Sequence, residues 1–408
     1  MAKRRHPRKK RRRPIRPVPV AFIVVVFVVD AFLLRLTWGG DTADRPGTPL
    51  FPISPPVTEP TPEPPALEPF TIAATGDVLI HQPVADKAAA NGASVGLPYD
   101  FRPMFSLIRP IISAADLAIC HVETPLSRTN EGISSYPLFN APRQVGLALA
   151  DAGYDICSTA SNHSLDQGFE GIASTLRVLD AFGIEHAGTT KTQGNDVAHI
   201  EVNGNSISHL SYTYGTNGIP LPSDKPWSVN VINAERILEA ARQEEAAGAD
   251  FIVLSLHWGS EYQSELTPEQ LSVARRLARD GTVDLIIGHH AHVVQQIRQI
   301  KGTYVIFGLG NILSNQRAGV TSTCCPPATQ DGLIVEADVT VVEGELRATS
   351  VRYRPTWVDP EGFQVVPVAE ELVDGTTFAE DSLRASWDRT ISALKGSSPS
   401  VVPATELP

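Results

Sequence analysis

Cysteine is scarce in this sequence. The four cysteines among 408 residues are Cys120, Cys157, Cys324 and Cys325, and their spacing matches no zinc framework. An oxidising compartment would permit disulfide bonds between them. Cys120 and Cys157 each end an apolar strand-like run, so they are either bonded neighbours or buried free thiols, and we favour free thiols.

Basic side chains are also scarce outside the first sixteen residues. Residues 1–16 hold ten Lys or Arg and no acid, which leaves 24 basic against 45 acidic side chains in residues 17–408. Because an acidic body cannot offset the repulsion of phosphates, we expect no nucleic-acid partner. A hydrophobic content of 42% and a charged content of 19% are typical of a globular protein, not of a disordered one.

One apolar run is long enough to suggest a membrane anchor. Residues 17–38 contain a stretch, 20–34, that only Asp30 interrupts, and about twenty apolar residues span a bilayer. The upstream basic block places the N-terminus in the cytoplasm and the body outside. No A-x-A-like cleavage site follows closely, so we expect an uncleaved single-pass anchor at the cell membrane rather than a removed signal peptide.

Composition divides the rest of the chain. Residues 39–69 form a linker in which ten prolines fall between 46 and 69, and such a segment stays extended. Residues 70–395 form the folded domain. The Ser/Pro-rich tail, 396–408, is expected to be disordered.

Apolar strand-like runs alternate with helical patterns in the folded domain. Phe169 to Phe182 follows helical spacing, with Gly183 as the stop, and Thr267 opens a capping box whose helix ends at Gly281. Beyond residue 330 the pattern turns to strands. An α/β domain with an antiparallel addition is therefore predicted. The strand-like runs are 70–75, 116–120, 154–160, 251–256, 284–288 and 304–309.

Polar clusters follow each of these six runs directly. The carboxyl ends of strands in open α/β sheets are where ligands bind, so six clusters in that position predict one shared site. The clusters are Gly76-Asp77, His121-Val122-Glu123, Ser161-Asn162-His163, His257-Trp258-Gly259, His289-His290-Ala291-His292 and Gly310-Asn311.

The residue types in these clusters favour a metal site. Carboxylate, amide and imidazole groups suit Mn, Fe, Zn or a similar divalent ion, and not a thiolate site. Such ions activate water and clamp phosphate oxygens. A serine hydrolase is the alternative, but we expect no nucleophile elbow, and the sequence has no Walker A loop.

The order of the motifs resembles that of a known superfamily. Gly76-Asp77, Asn162-His163, His257 and His290-x-His292 are similar to the signature of calcineurin-like metallophosphoesterases. The segments TIAATGDVLI, DLAICHVETPL, STASNHSLDQGFEGI and IIGHHAHVVQ more closely resemble the CapA family of poly-gamma-glutamate capsule-synthesis proteins, over about residues 70–315.

The resemblance implies a four-layer α/β/β/α sandwich of the metallophosphoesterase type with metal at the strand ends. His163 would act as general acid or phosphate contact, and Asp166 is placed to orient it, as a carboxylate behind a histidine does. The turn Gly308-Leu309-Gly310-Asn311 would be structural. The implied metal ligands are Asp77, Glu123, Asn162, His257, His290 and His292.

Two positions depart from the pattern that the resemblance implies. Metallophosphoesterases usually carry Asp-x-His at the first motif, but Leu79 stands here, with His81 two residues further on. The CapA-like group often has Asn where this chain has His121. One metal position is therefore expected to be weak, vacant or differently liganded.

Two functions are compatible with these features. One is a metal-dependent hydrolase of cell-envelope phosphoesters at the cell surface. The other is a non-catalytic metal-binding factor that anchors or exports an anionic capsule polymer such as poly-gamma-glutamate. The resemblance also implies partners in a capsule-synthesis complex.

Overall fold

The structure, a computed structural model, describes residues 66–194, 196–319 and 324–407. The basic segment 1–16, the expected anchor 17–38 and nearly all of the linker 39–69 lie outside the described residues. Within the described ranges, no helix is both long and apolar enough to cross a bilayer.

The strands of the described residues form two large sheets and one short pair. In chain order they are β1 (Phe70–Val78), β2 (Leu117–Val122), β3 (Leu126–Ser127), β4 (Ala141–Pro142), β5 (Ile156–Ser158), β6 (Glu185–Ala187), β7 (Ala198–Val202), β8 (Asn205–Thr213), β9 (Phe251–His257), β10 (Leu285–His289), β11 (Ile297–Ile300), β12 (Thr303–Ile306), β13 (Asn311–Leu313), β14 (Asp331–Val342), β15 (Glu345–Val358), β16 (Val365–Pro367) and β17 (Val401–Pro403).

Both large sheets have a parallel centre. The first has the order β16-β15-β14-β1-β2-β5-β6, with β13 beside β1 and β17 beside β15, and the second has the order β11-β12-β10-β9-β8-β7. Strands β1, β2, β5 and β6 are parallel in the first sheet, as are β8, β9, β10 and β12 in the second. Strands β14 and β15 join antiparallel to them, which confirms the predicted addition.

Helices connect the strands, and two of them begin and end as the sequence predicts. The Thr267 hydroxyl group accepts a hydrogen bond from the backbone N–H of Gln270, and the Gln270 side-chain oxygen accepts one from the backbone N–H of Thr267. Gly281 ends that helix with φ of 89°. The helices are α1 (Gln82–Ala93), α2 (Arg102–Phe105), α3 (Arg109–Ile112), α4 (Gln144–Ala152), α5 (Gly168–Ala181), α6 (Ala234–Ala247), α7 (Pro268–Asp280), α8 (Val368–Asp374) and α9 (Glu380–Ala393), with a 3-10 turn at Pro327–Gln330.

The alternation of side chains along buried strands divides the core into layers. In β1, Ala73 packs towards helices α1 to α5, whereas Ile72 packs towards the second sheet. In β9, Val253 faces the first sheet and Ile252 faces α6 and α7. Because successive side chains point to opposite faces, each sheet is apolar on both sides. The layers are thus helices, sheet, sheet and helices, in the expected α/β/β/α order.

Cys120 and Cys157 are bonded to each other. The two residues pair across the parallel strands β2 and β5, with their Cα atoms 4.5 Å apart, and Cys324 is bonded to its neighbour Cys325. The preference for free thiols is therefore wrong. Cys120 and Cys157 are 37 positions apart in the sequence, so the sequence does not show that their strands are adjacent.

The tail differs from the expectation of disorder. Strand β17 pairs with β15, and the backbone N–H of Ser398 donates to the carbonyl of Ile297 in β11. The hydroxyl group of Tyr304 donates to Ser400. Composition predicted a solvated tail. The apolar pair Val401 and Val402 and several hydroxyl groups are nevertheless sufficient to order the tail, because an edge strand is available beside them.

Candidate metal centre

The carboxyl ends of the parallel strands in both sheets bring the polar clusters together. Asp77 lies near the end of β1, Glu123 directly follows β2, and Asn162 lies in the turn after β5. From the second sheet, His257 ends β9, while His290 follows β10 at once. All of these side chains are buried. Two sheets that face each other thus supply one polar cluster.

Two glycines allow the close backbone approach that positions Asp77. A Cβ atom on Gly76 would lie 2.0 Å from the carbonyl oxygen of Gly310, and the N–H of Asp77 donates to that oxygen at 2.9 Å. Gly310 itself has φ of 68°, which L side chains rarely adopt. The packing of Gly310 agrees with the predicted structural role of the Gly308–Asn311 turn, whereas Asn311 also contacts His292 of the centre.

Asp77 is surrounded by histidine groups. One oxygen lies 3.1 Å from Nδ1 of His289, and the other accepts from the backbone N–H of His290 at 3.1 Å. Nδ1 of His292 lies 3.2 Å from that second oxygen. Burial raises the pKa of Asp77, but hydrogen bonds from His289 and His292 outweigh it and hold the pKa well below its usual range. The carboxylate stays ionised inside the protein.

Glu123 has a buried carboxylate without a hydrogen bond on either oxygen. Its nearest basic atoms are Nε2 of His292 at 3.7 Å and Nε2 of His257 at 3.9 Å. Burial raises the pKa of Glu123 to about 7, although His292 opposes the rise. Burial also lowers the pKa of His292, but the charge of Glu123 and the hydrogen bond with Asp77 outweigh it and bring the pKa to about 9.

Asn162 and two histidines form a chain of contacts across the centre. The amide oxygen of Asn162 lies 3.0 Å from Nε2 of His257, whose Nδ1 lies 3.0 Å from Nε2 of His121. Nδ1 of His121 lies 2.7 Å from the hydroxyl group of Ser158. Burial holds the pKa values of His121 and His257 well below their usual range. Neutral imidazole is the form that binds metal.

His290 and His292 have unusual backbone conformations. Their φ angles are 87° and 55°, in the left-handed region that side chains with a Cβ enter at a cost. Nδ1 of His290 has no hydrogen-bond partner, and its ring lies 4.5 Å from that of Tyr214. Burial lowers the pKa of His290 to about 3. The turn thus holds a neutral imidazole whose Nδ1 makes no hydrogen bond.

The donor set fits a divalent cation. Ligand atoms of Asp77, Glu123 and His292 lie within 4.8 Å of one another, as do those of Asp77, His121 and His289. The unpaired oxygens of Glu123 would otherwise be costly to bury. Hard oxygen donors combined with imidazole suit Mn, Fe or Zn.

His163 and Asp166 make the contact that the sequence predicts. Nδ1 of His163 lies 2.7 Å from a carboxylate oxygen of Asp166, and that oxygen also accepts from the backbone N–H of Phe139 at 2.7 Å. The Phe139 ring packs edge-on against His163 at 4.8 Å. The carboxylate and the ring together fix the orientation of the imidazole.

A cleft of about 580 Å³ opens beside the centre. Asn162, His163, Asp166 and His292 line it, so it joins the expected catalytic pair to the expected metal ligands. A substrate in the cleft would reach both groups.

Four further residues belong to the centre although the expected ligand set omits them. His121 and His289 contact the set directly, and Asn311 lies 3.0 Å from Nδ1 of His292. The carboxylate of Glu261 lies within 4.8 Å of ligand atoms of His290 and His292. The sequence could have indicated His121 and His289, because both lie in the polar clusters that follow predicted strands. Glu261 lies in a loop that no sequence pattern marks.

Leu79 and His81 do not complete the first motif. Leu79 is buried and its backbone bonds to Leu313. Nδ1 of His81 accepts from the backbone N–H of Asn315 at 3.4 Å, and His81 lines the cleft. Burial lowers the pKa of His81 to about 4. His81 is absent from the ligand groups that contain Asp77 within the described residues.

Ser94 lies in a pentapeptide of the G-x-S-x-G form, Gly92 to Gly96, which the sequence interpretation overlooked. The pentapeptide is at the carboxyl end of α1, where Ser94 donates to the carbonyl of Asn91 at 2.7 Å. A nucleophile elbow lies between a strand and a helix. Ser94 is therefore a helix-end residue and not a nucleophile at a strand-to-helix turn.

Solved structures with low overall similarity include two phosphoesterases. A calcineurin-like phosphoesterase, YfkN from Bacillus subtilis, matches with a TM-score of 0.41 and 14% identity over 79% of this chain and 97% of that chain. A phosphatase from Mycoplasma pneumoniae matches with a TM-score of 0.44 and 15% identity over 71% and 93% of the two chains.

Sequence comparison places the chain among capsule-synthesis proteins. The capsule biosynthesis protein CapA of Bacillus anthracis is 24% identical over 259 residues, 61% of each chain, and the PGA biosynthesis protein CapA of Bacillus subtilis is 25% identical over 248 residues, 59% of this chain and 62% of its own. The match thus spans about three fifths of the length of these curated relatives. The family described as bacterial capsule synthesis protein PGA_cap matches residues 71–316, and the chain belongs to this family.

Proposed function

We propose that this protein is a metal-dependent phosphoester hydrolase that acts in capsule biosynthesis outside the cell membrane. The observation that carries the proposal is the buried carboxylate of Glu123, which has no hydrogen-bond partner in a cluster of imidazole and carboxylate donors. A buried charge of this kind is normally paired or bound to metal. Asp77, Asn162, His257, His290 and His292 would complete the ligand set.

The chain's own residues have separable roles in this proposal. A divalent ion would supply Lewis acidity towards a phosphoryl oxygen and an activated water. Asp166 holds Nδ1 of His163, so Nε2 is the ring nitrogen left to donate a proton to the departing oxygen. The side chains of the centre are buried, and burial strengthens the electrostatic contacts among them.

We also propose the location that the sequence predicts, with residues 17–38 as a single-pass anchor and residues 1–16 in the cytoplasm. Two disulfide bonds in one domain support an oxidising compartment. A reporter that is active only outside the cytoplasm, fused after Leu67, should be active in cells, and a silent reporter would contradict the topology.

A non-catalytic role is the second candidate. It would use the same centre to bind an anionic capsule polymer for anchoring or export, within a capsule-synthesis complex. Leu79 favours this alternative, because it leaves the first motif without its expected imidazole. The names of the curated relatives, which refer to capsule and PGA biosynthesis, are compatible with both roles.

One experiment separates the two candidates. The purified full chain would be analysed for bound Mn, Fe and Zn and then assayed with bis(p-nitrophenyl) phosphate. Bound metal together with hydrolysis supports the enzyme. Bound metal without hydrolysis supports the binding factor, and a chain that takes up no metal contradicts both.

A further inference from the structure

The walls of the cleft carry an unusual charge pattern for a phosphoester site. Among the described residues that line the cleft there is no lysine or arginine, and the charged side chains outside the histidines are Asp166 and Glu261. Phosphate sites commonly use arginine or lysine for a second anionic group. Here any anion apart from the one at the metal centre would face carboxylates.

Hydrogen-bond acceptors without partners accompany these carboxylates. The second oxygen of Asp166 and the amide oxygen of Asn315 are buried and have no hydrogen-bond partner, and both residues line the cleft. Glu261, which is exposed, adds a carboxylate beside His290 and His292. Of these carboxylates and amide oxygens, the exposed carboxylate of Glu261 is accessible to a ligand. A group beside it must donate hydrogen bonds, and a carboxylate or a second phosphate cannot do so.

Apolar and aromatic side chains form the outer part of the cleft. Tyr136 is 77% exposed and Leu138 is 49% exposed, although large apolar side chains usually avoid water. Tyr262 lines the same cleft. These groups suit the carbon skeleton of a ligand and offer no attraction to a polyanion.

We propose that the cleft selects phosphodiesters in which one ester group carries an amine or a hydroxyl group. Such a group donates hydrogen bonds and has no negative charge. This inference rests on the proposed function and names its substrate class. The phosphate would lie at the metal centre, and the donor would face Glu261. A second anionic group on the same substrate is disfavoured because it would lie near carboxylates with no counter-charge.

Two commercially accessible diesters test the selectivity. Glycerophosphoethanolamine and glycerophosphoserine differ by one carboxylate, so their comparison isolates the second negative charge. Calorimetric titration of each into the metal-loaded full chain should show about tenfold tighter binding of the ethanolamine diester. The ethanolamine diester should also have the higher kcat/KM.

A charge-neutralising variant locates the source of the preference. Glu261→Gln, compared at a bound-metal content equal to that of the unmodified protein because Glu261 lies beside His290 and His292, should reduce the ratio of the two dissociation constants to about threefold or less, since the nearest carboxylate is neutralised. Glu265→Gln is the matched control, since Glu265 is exposed on the same loop and does not line the cleft. That control should retain the full ratio.

The outcomes distinguish this inference from the proposed function. If bis(p-nitrophenyl) phosphate is not hydrolysed but the binding ratio is seen, the proposed hydrolysis fails and the selectivity stands. Equal binding of the two diesters, or tighter binding of the serine diester, would overturn the selectivity whatever the turnover. If Glu261→Gln and Glu265→Gln reduce the ratio of dissociation constants equally, Glu261 is not the source of the charge preference.

Discussion

At the scale of single residues, the His292 imidazole lies near two buried carboxylates, those of Asp77 and Glu123. Asp77 and Glu123 are both buried, and the pKa of His292 is raised to about 9 by these two neighbours after burial has lowered it. A bound divalent ion would displace the His292 proton and balance the charge.

Replacement of His292 tests its role as a ligand. His292→Ala should lower the affinity for Mn or Zn by about tenfold or more, because the ion would lose the imidazole that lies beside both buried carboxylates. Metal content after dialysis, measured by inductively coupled plasma mass spectrometry, reports the change. His199→Ala is the control, since His199 is exposed and pairs with Glu244, and unchanged metal in His292→Ala would exclude His292 from the centre.

Replacement of Asp166 tests the orientation of His163. Asp166→Asn should lower kcat by about 10–100-fold while KM and metal content stay near those of the unmodified protein, because the imidazole loses the carboxylate that fixes its tautomer. Asp180→Asn, at the exposed pair of Asp180 and His186, is a matched control. A kcat equal to that of the unmodified protein would end the positioning role of Asp166.

At the scale of elements, the C-terminal segment connects the two sheets. Strand β17 pairs with β15 of the first sheet, and Ser398 bonds to both Ile297 and Gln299 of β11 in the second. Tyr304 of β12 bonds to Ser400. A segment that bonds to both sheets resists their separation.

Removal of this segment should destabilise the domain. Deletion of residues 396–408 is expected to lower the free energy of unfolding by about 2–4 kcal/mol, from several backbone and hydroxyl hydrogen bonds at about 1 kcal/mol each. Urea unfolding followed by circular dichroism measures the change. Deletion of 406–408 alone should have almost no effect, and equal stability of both truncations would show that β17 contributes nothing.

At the scale of the whole molecule, the metal centre lies where both sheets end. The first sheet supplies Asp77 and Glu123, and the second supplies His257, His290 and His292. An ion held by both sets of ligands would bind the folded state alone, since the unfolded chain separates them by up to 215 residues of sequence. Metal binding is therefore coupled to the stability of the whole domain.

Removal of the metal should lower the melting temperature. A chelator added to the metal-loaded chain is expected to lower Tm by about 4 °C, because an ion at a hundredfold excess over its Kd contributes about 2.7 kcal/mol and a domain of this length unfolds with an entropy of about 0.7 kcal/mol per kelvin. Differential scanning calorimetry gives the measurement, and added Mn in excess should restore Tm. The His292→Ala chain should respond much less, and an unchanged Tm in the unmodified protein would argue against an ion shared by the sheets.

Local patterns in the sequence determined the elements and much of the site. The apolar runs predicted the main parallel strands, and the Thr267 capping box predicted the start of α7, because these signals depend on residues close in sequence. The polar clusters after predicted strands located the site, and the resemblance selected six residues within them as ligands: Asp77, Glu123, Asn162, His257, His290 and His292. The structure brings these six side chains together; their role as ligands stays a prediction.

Only the tertiary structure decided which distant segments meet. It joined Cys120 to Cys157, ordered residues 396–407 against both sheets, and added His121, His289 and Glu261 to the centre. It also left the described walls of the cleft without a lysine or arginine. The physical reason is that these contacts depend on strand order and on the packing of one sheet against the other, which no local periodicity encodes.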